Sequence, residues 1–104
     1  MSKSFRVALL FSLLAGCAGS GYLPPMRGAF SPARLQAVVK SAAARYSVPS
    51  GLVQAVMMAE SAGNVTAVSS AGAQGLMQLM PATAAECGID NIFDPFENVD
   101  CGTR

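Results

Sequence analysis

The chain has 104 residues, seven basic and six acidic side chains for a net charge of +1, and neither His nor Trp. That length suits one small domain. The lack of His excludes Ser-His-Asp and Cys-His nucleophile systems and every His-based metal site, and the near-neutral charge excludes an electrostatic nucleic-acid binder. With 52% hydrophobic and 12% charged residues, the chain is too apolar to be disordered. Cysteines at 17, 87 and 101 form no C-x-x-C pair, so a zinc knuckle is not expected.

Lys3 and Arg6 precede Val7 to Ala15, a run that is apolar except for Ser12. These are the n-region and h-region of a secretory signal. The run is about half the ~20 residues that a membrane-spanning helix needs. Leu14-Ala15-Gly16-Cys17 follows directly and resembles the lipobox of bacterial lipoproteins. The resemblance implies a signal peptide over 1–16 and a diacylated Cys17 as the first mature residue. Two acyl chains anchor stably, since each buried CH₂ contributes ~0.8 kcal/mol. Ala18, rather than Asp, after the lipid-bearing Cys implies sorting to the outer membrane, facing the periplasm. An ordinary cleaved signal with an incidental cysteine is the alternative. If Cys17 carries lipid, Cys87 and Cys101 remain as an even pair in an oxidising compartment. A disulfide between them closes a loop of about 15 residues and contributes roughly 3 kcal/mol in the chain-entropy model. Two free buried thiols are the other reading.

Residues 17–30, with several Gly and Ser and then Pro24-Pro25, read as a lipid-attached tether. Residues 31–104 remain for the fold. No window alternates apolar and polar residues as a strand does, so the domain is expected to be all-α. Ser31-Pro32 is an N-cap followed by Pro at N1. Leu35, Val38, Val39, Ala42, Ala43 and Tyr46 recur at helical spacing up to Pro49, which ends the helix. Ser50 is expected to cap a second helix that Gly63-Asn64 ends. Residues 63–74 read as a loop, and Gly75 to Met80 as a short apolar helix. Pro81 to Cys87 gives a further turn or two, closed by Gly88. Asp94-Pro95 announces a last helix through Val99 and Cys101. No stop signal precedes Arg104, so the chain is expected to break off inside an element, as a truncated form.

Glu60 is the only acidic residue among the first 85. It lies three residues after Met57, four after Val56 and seven after Val53, and so extends their apolar stripe. A carboxyl group set against apolar side chains loses hydration, and its pKa is expected to rise. A protonated acid in a cleft serves first as general acid and then, once ionised, as base. A carboxylate turned out to water at a helix end is the competing expectation.

Around Glu60 runs Ala59-Glu60-Ser61, then Asn64, then Ala67-Val68-Ser69-Ser70-Ala71-Gly72-Ala73-Gln74-Gly75-Leu76-Met77-Gln78-Leu79-Met80-Pro81. Phe93-Asp94-Pro95 and Asn98 follow. This string resembles the signature of the soluble-lytic-transglycosylase (SLT) family, lysozyme-like domains that cut bacterial peptidoglycan. The resemblance covers 31–104 and is densest over 55–83. It implies a lysozyme-like helical fold, Glu60 as the single catalytic acid/base, and Ser69, Gln78 and Met80 in contact with carboxylate or glycan. It implies peptidoglycan glycan strands as partner and no metal or organic cofactor. Leu76, Met77 and Leu79 are expected in the core rather than on substrate.

With one carboxylate the substrate must assist, since most glycosidases use two. The implied reaction cleaves the β-1,4 bond between N-acetylmuramic acid and N-acetylglucosamine and forms a 1,6-anhydro sugar, formally a lyase reaction. The Asn-Pro and Ser-Pro pairs usual in the family are Asn64-Val65 and Ser69-Ser70 here. The family's later Ala-Tyr-Asn-Ala-Gly-type motif has no counterpart, because the only tyrosines are Tyr22 and Tyr46. The chain alone is therefore expected to be weakly active or inactive. Two competing expectations are a non-catalytic peptidoglycan-binding lipoprotein and a lysozyme-like glycoside hydrolase with a second, well-placed acid.

Overall fold

A computed structural model describes residues 30–104. The expected secretory signal, the expected lipid attachment at Cys17 and the expected tether up to residue 29 lie outside the described residues. α1 spans Pro32–Tyr46. The Ser31 hydroxyl accepts from the Arg34 N–H at 3.3 Å, and Pro32 occupies the first turn, where a missing N–H costs nothing. Ser47 leaves the helix in the left-handed region (φ 53°). The Val48 N–H then closes back on the Ala43 carbonyl at 2.9 Å.

α2 spans Ser50–Ser61, with Pro49 as its N-cap. Ser50 was expected to be that cap, but it is the first helical residue and its side chain caps nothing. Pro49 has extended geometry that already orients the chain for entry. α3 spans Pro81–Cys87 and ends at Gly88 (φ 70°). α4 spans Pro95–Thr103; the Asp94 carboxylate accepts from the Glu97 N–H at 2.9 Å, as the cap-plus-Pro signal predicts.

The segment between α2 and α3 corrects one expectation. Residues 75–78 form a tight turn rather than a short helix. Val68 pairs with Gln74, and Gln74 with Leu79, as isolated antiparallel bridges. Gly75 (φ 78°) and Gln78 (φ 50°) both take left-handed backbone, which breaks the α-helical run at each end. The apolar side chains of this segment are buried all the same, Leu76 completely.

α1 packs against both α2 and α4, and α3 packs against α4. The core is Val38, Val39, Ala42 and Ala43 from α1, Val53 and Met57 from α2, Leu76, Met77 and Leu79 from the turn, and Val99 and Cys101 from α4. Phe30, the last residue of the expected tether, belongs to the folded part. Its ring meets Phe96 edge-on, with centroids 6.5 Å apart, and the Arg34 guanidinium sits 5.0 Å over its face.

Two covalent or charged ties hold α4 in place. Cys87 and Cys101 form a disulfide with a sequence separation of 14. Next to it, Asp100 accepts from Arg45 at 2.9 Å and from the Tyr46 hydroxyl at 2.7 Å. The hydrogen bond to Asp100 pushes the Tyr46 phenol above its ordinary value, with burial and the Asp100 charge acting in the same direction.

Two measurements follow from these ties. Replacing Cys87 and Cys101 together by Ser is expected to lower unfolding stability by roughly 2–4 kcal/mol in urea titration. Because the folded chain holds the Tyr46 proton more tightly than the unfolded one, the stabilisation from the Tyr46–Asp100 hydrogen bond is full below about pH 10 and fades as pH rises through the raised value. Tyr46→Phe is therefore expected to flatten the fall of the urea midpoint above about pH 10.

Candidate functional site

Glu60 lies in the last turn of α2 and is exposed to solvent. The desolvation expected from its place on the apolar stripe is not present. The buried line of α2 is narrow, running through Val53 and Met57. Val56 stands on its flank, already 38% exposed, and Glu60 is the next residue along that same flank. Val56 lines an apolar cavity of about 160 Å³ with Val48, Leu52, Val53, Met77, Gly102 and Thr103. Glu60 sits one helical turn beyond it and is not among its lining residues.

The residue after Glu60 closes the helix. The Ser61 hydroxyl donates to the Met57 carbonyl at 3.1 Å and accepts from the Gly63 N–H at 3.2 Å. Ser61 is thus occupied as a helix-end residue. Asn64 then organises the descent: its side-chain oxygen accepts from the Thr66 N–H at 3.0 Å and from the Thr66 hydroxyl at 3.1 Å.

Ser69 and Gln78 are brought together on one bridged loop. Ser69 exchanges backbone hydrogen bonds around a turn: its N–H donates to Ala73 at 2.9 Å and its carbonyl accepts from Gly72 at 3.0 Å. Its hydroxyl oxygen accepts from the Ala73 N–H at 3.0 Å, which leaves the hydroxyl hydrogen free to donate. The Gln78 amide nitrogen donates to the carbonyls of Ala67 (3.1 Å) and Gly75 (3.0 Å). Both partners are acceptors, so the amide orientation is fixed by chemistry and its oxygen faces away from them. Gln78 also holds a left-handed backbone (φ 50°), a conformation that costs a non-glycine residue on the order of 1 kcal/mol. Met80 is the exposed N-cap of α3, 44% accessible.

The other acidic side chains are engaged or lie elsewhere. Asp94 caps α4, Glu97 accepts from the Asn91 N–H at 3.0 Å, and Asp100 is held by Arg45 and Tyr46. Glu86 on α3 and Asp90 after it are exposed. A larger cavity of about 210 Å³ lies between α1 and α4 beside the disulfide, lined by Arg45, Glu97, Asp100 and Arg104 among others. It contains none of Glu60, Ser69, Gln78 and Met80.

The Transglycosylase SLT domain family matches residues 37–104. The chain belongs to that family. Among relatives of the SLT domain described above, a protein of Enterobacteria phage PRD1 named Transglycosylase is 46% identical over 61 residues, which is 59% of this chain and 23% of that protein. The membrane-bound lytic murein transglycosylase C of Actinobacillus pleuropneumoniae serotype 5b (strain L20) is 39% identical over 77 residues, 64% of this chain and 21% of that protein. The X-ray structure of an inactive glutamate-to-glutamine mutant of the lytic transglycosylase Slt from Pseudomonas aeruginosa is similar with a TM-score of 0.62 at 32% identity, covering 69% of this chain and 13% of that one. The chain spans about a fifth of the length of the curated relatives it matches. The all-α, lysozyme-like fold expected from the sequence is the one this SLT domain has.

Sequence reasoning placed Asn98 in the family string but gave it no role in shaping the loop. Asn98 of α4 is wholly buried, 0% exposed, the one buried polar side chain among the described residues. Its oxygen accepts from the Met77 N–H at 2.7 Å, and its nitrogen donates to the carbonyls of Gln74 (3.0 Å) and Ile92 (2.7 Å). The available signal was an amide on the same helix face as Val99 and Cys101, where a polar group needs partners. Gly75 makes room for it: a Cβ there would lie 2.3 Å from the Asn98 nitrogen and 2.9 Å from the Ile92 carbonyl. Gly75→Ala combines that clash with a left-handed backbone and is expected to cost roughly 1–3 kcal/mol. Chemical denaturation of the variant beside the unmodified chain measures it.

Proposed function

We propose that this SLT domain acts on peptidoglycan as the acid/base part of a lytic transglycosylase. The observation that carries the reading is the family match across 37–104, which includes Glu60 and the whole bridged loop after it. A further support is that the similar Slt structure is an inactive mutant in which a single glutamate became glutamine. This chain has three glutamates. Glu97 is committed to the Asn91 N–H and Glu86 stands on the exposed side of α3, which leaves Glu60 as the one at a helix end beside the loop.

In this reading Glu60 protonates the glycosidic oxygen between N-acetylmuramic acid and N-acetylglucosamine, and the bond from that oxygen to C1 breaks. The 2-acetamido group of the muramic acid stabilises the positive charge that develops at C1. Glu60, now a carboxylate, takes the proton of that sugar's C6 hydroxyl, and the oxygen closes on C1. The product is a 1,6-anhydro sugar, no water is consumed, and no metal or organic cofactor takes part. The exposed carboxylate becomes an efficient acid only once glycan displaces its water. Ser69 offers a hydroxyl hydrogen, Gln78 an amide oxygen and Met80 an apolar edge to the sugar. Placement in the cell envelope, with a signal peptide over 1–16, a lipid on Cys17, a tether that ends before Phe30 and an outer-membrane address, belongs to the same proposal. The relative named membrane-bound lytic murein transglycosylase C accords with it.

One observation favours a second reading, a non-catalytic peptidoglycan-binding lipoprotein: Glu60 is exposed and lines neither of the two cavities described above. Incubation with purified peptidoglycan, followed by mass analysis of the released muropeptides, separates the two. The transglycosylase reading expects 1,6-anhydro products and at least a hundredfold loss of them in Glu60→Gln. Products with reducing ends alone indicate a lysozyme-like hydrolase. Sacculus binding that is equal in both chains, with no product from either, indicates the non-catalytic protein.

A further inference from the structure

We propose that Asn98 is a positioning residue for the glycan-facing turn: it acts on the sugar contact through Gln78 without touching sugar itself. The inference rests on the proposed glycan contact of Gln78. Asn98 has one job at each polar atom. Its oxygen holds the Met77 N–H, the residue before Gln78, and its two amide hydrogens hold the carbonyls of Gln74 and Ile92. Gln74 is the far end of the same turn and exchanges both backbone hydrogen bonds with Leu79, at 2.8 and 3.0 Å. Asn98 therefore grips the turn on both sides of Gly75-Leu76 and ties it to the segment that leads into α4.

The turn needs that grip. Gln78 sits in a left-handed backbone that an unconstrained chain would leave. Its side chain donates to Gly75 within the turn and to Ala67 outside it. If Met77 loses its partner, the backbone is free to relax, the Gln78 amide rotates, and its oxygen no longer keeps one direction. α4 presses on the same place from one turn further along. A Cβ on Gly102 would lie 2.6 Å from the Met77 Cβ and 2.8 Å from its Cγ, so α4 also approaches closely the residue whose N–H Asn98 binds. Asparagine is required by donor count. Aspartate keeps the acceptor but has no hydrogens for Gln74 and Ile92, and it places a charge against two carbonyls in a dry site.

The test compares the full unmodified chain with Asn98→Asp, Gln78→Ala and the double variant, under conditions where circular dichroism shows each to be folded. Two readouts are taken: amide hydrogen exchange by NMR, and affinity for purified peptidoglycan sacculi by co-sedimentation. Asn98→Asp is expected to lower protection of the Met77 and Leu79 amides and of the Gln78 side-chain amide at least tenfold, with Val39 and Val53 unchanged. It is expected to weaken sacculus binding about as much as Gln78→Ala, and the double variant is expected to be no more than twofold weaker than either single one. A uniform loss of protection throughout the chain, or binding losses that multiply in the double variant, overturns the proposal. Should Asn98→Asp not fold, Gly102→Ala disturbs the same contact from the next turn of α4. In the unmodified chain, the Gln78 side-chain protons must then exchange with the same opening rate as the Met77 amide; independent rates overturn it. If the unmodified chain binds no sacculi, the glycan reading fails, and the shared opening of Met77 and Gln78 still decides whether Asn98 positions the turn.

Discussion

A single amide side chain organises the part of this molecule where chemistry is proposed. Asn98 lies in a dry site and satisfies three backbone groups from two separate segments. The Gln74 carbonyl has a second partner in the Leu79 N–H, whereas the Met77 N–H and the Ile92 carbonyl would be left unpaired, at a cost on the order of 1–3 kcal/mol each. Leu76 and Met77 could not be buried in an irregular turn without that compensation. The core and the loop are therefore one construction. Leu76, Met77 and Leu79 supply the apolar contacts, and Asn98 supplies the hydrogen bonds that their backbone cannot make to itself.

The turn in turn presents side chains of defined polarity. Gln78 spends both of its hydrogens inward and keeps its oxygen outward, while Ser69 spends its oxygen inward and keeps its hydrogen. One loop thus offers an acceptor and a donor, a combination suited to sugar hydroxyl and acetamido groups. Glu60 stands apart from this organisation. It is carried by α2, on the flank of a helix whose buried line is served by α1. Its environment depends on whatever contacts that flank, which in the proposed complex includes the glycan.

Much of the helical framework was legible from local signals. Ser31-Pro32 and Asp94-Pro95 each place a capping oxygen before a residue that needs no N–H, and both start helices where expected. The face of α1 could be read from spacing alone, because Val38, Val39, Ala42 and Ala43 repeat with the helical period. Glu60 misled for a related reason: periodicity gives the angle of a side chain around its own helix, not the breadth of the neighbour that covers it. Val56, at nearly the same angle, is uncovered too. The 75–80 segment misled because its composition is helical and apolar, whereas its backbone is decided by Asn98, 21 positions away from Met77. Local propensity carries no trace of such a partner. The motif string located Ser69 and Gln78 without revealing which of their atoms are already spent.

The disulfide turns the stretch between Cys87 and Cys101 into a covalent ring within the chain. Gly88, Asp90 and Asn91 are exposed on that ring. A protease cutting there would produce two polypeptides that stay joined through sulfur, with α4 still delivered to its place against α1. The molecule would run as one species on a gel without reductant and as two with it. Damage at this exposed connection is thereby confined to a nick.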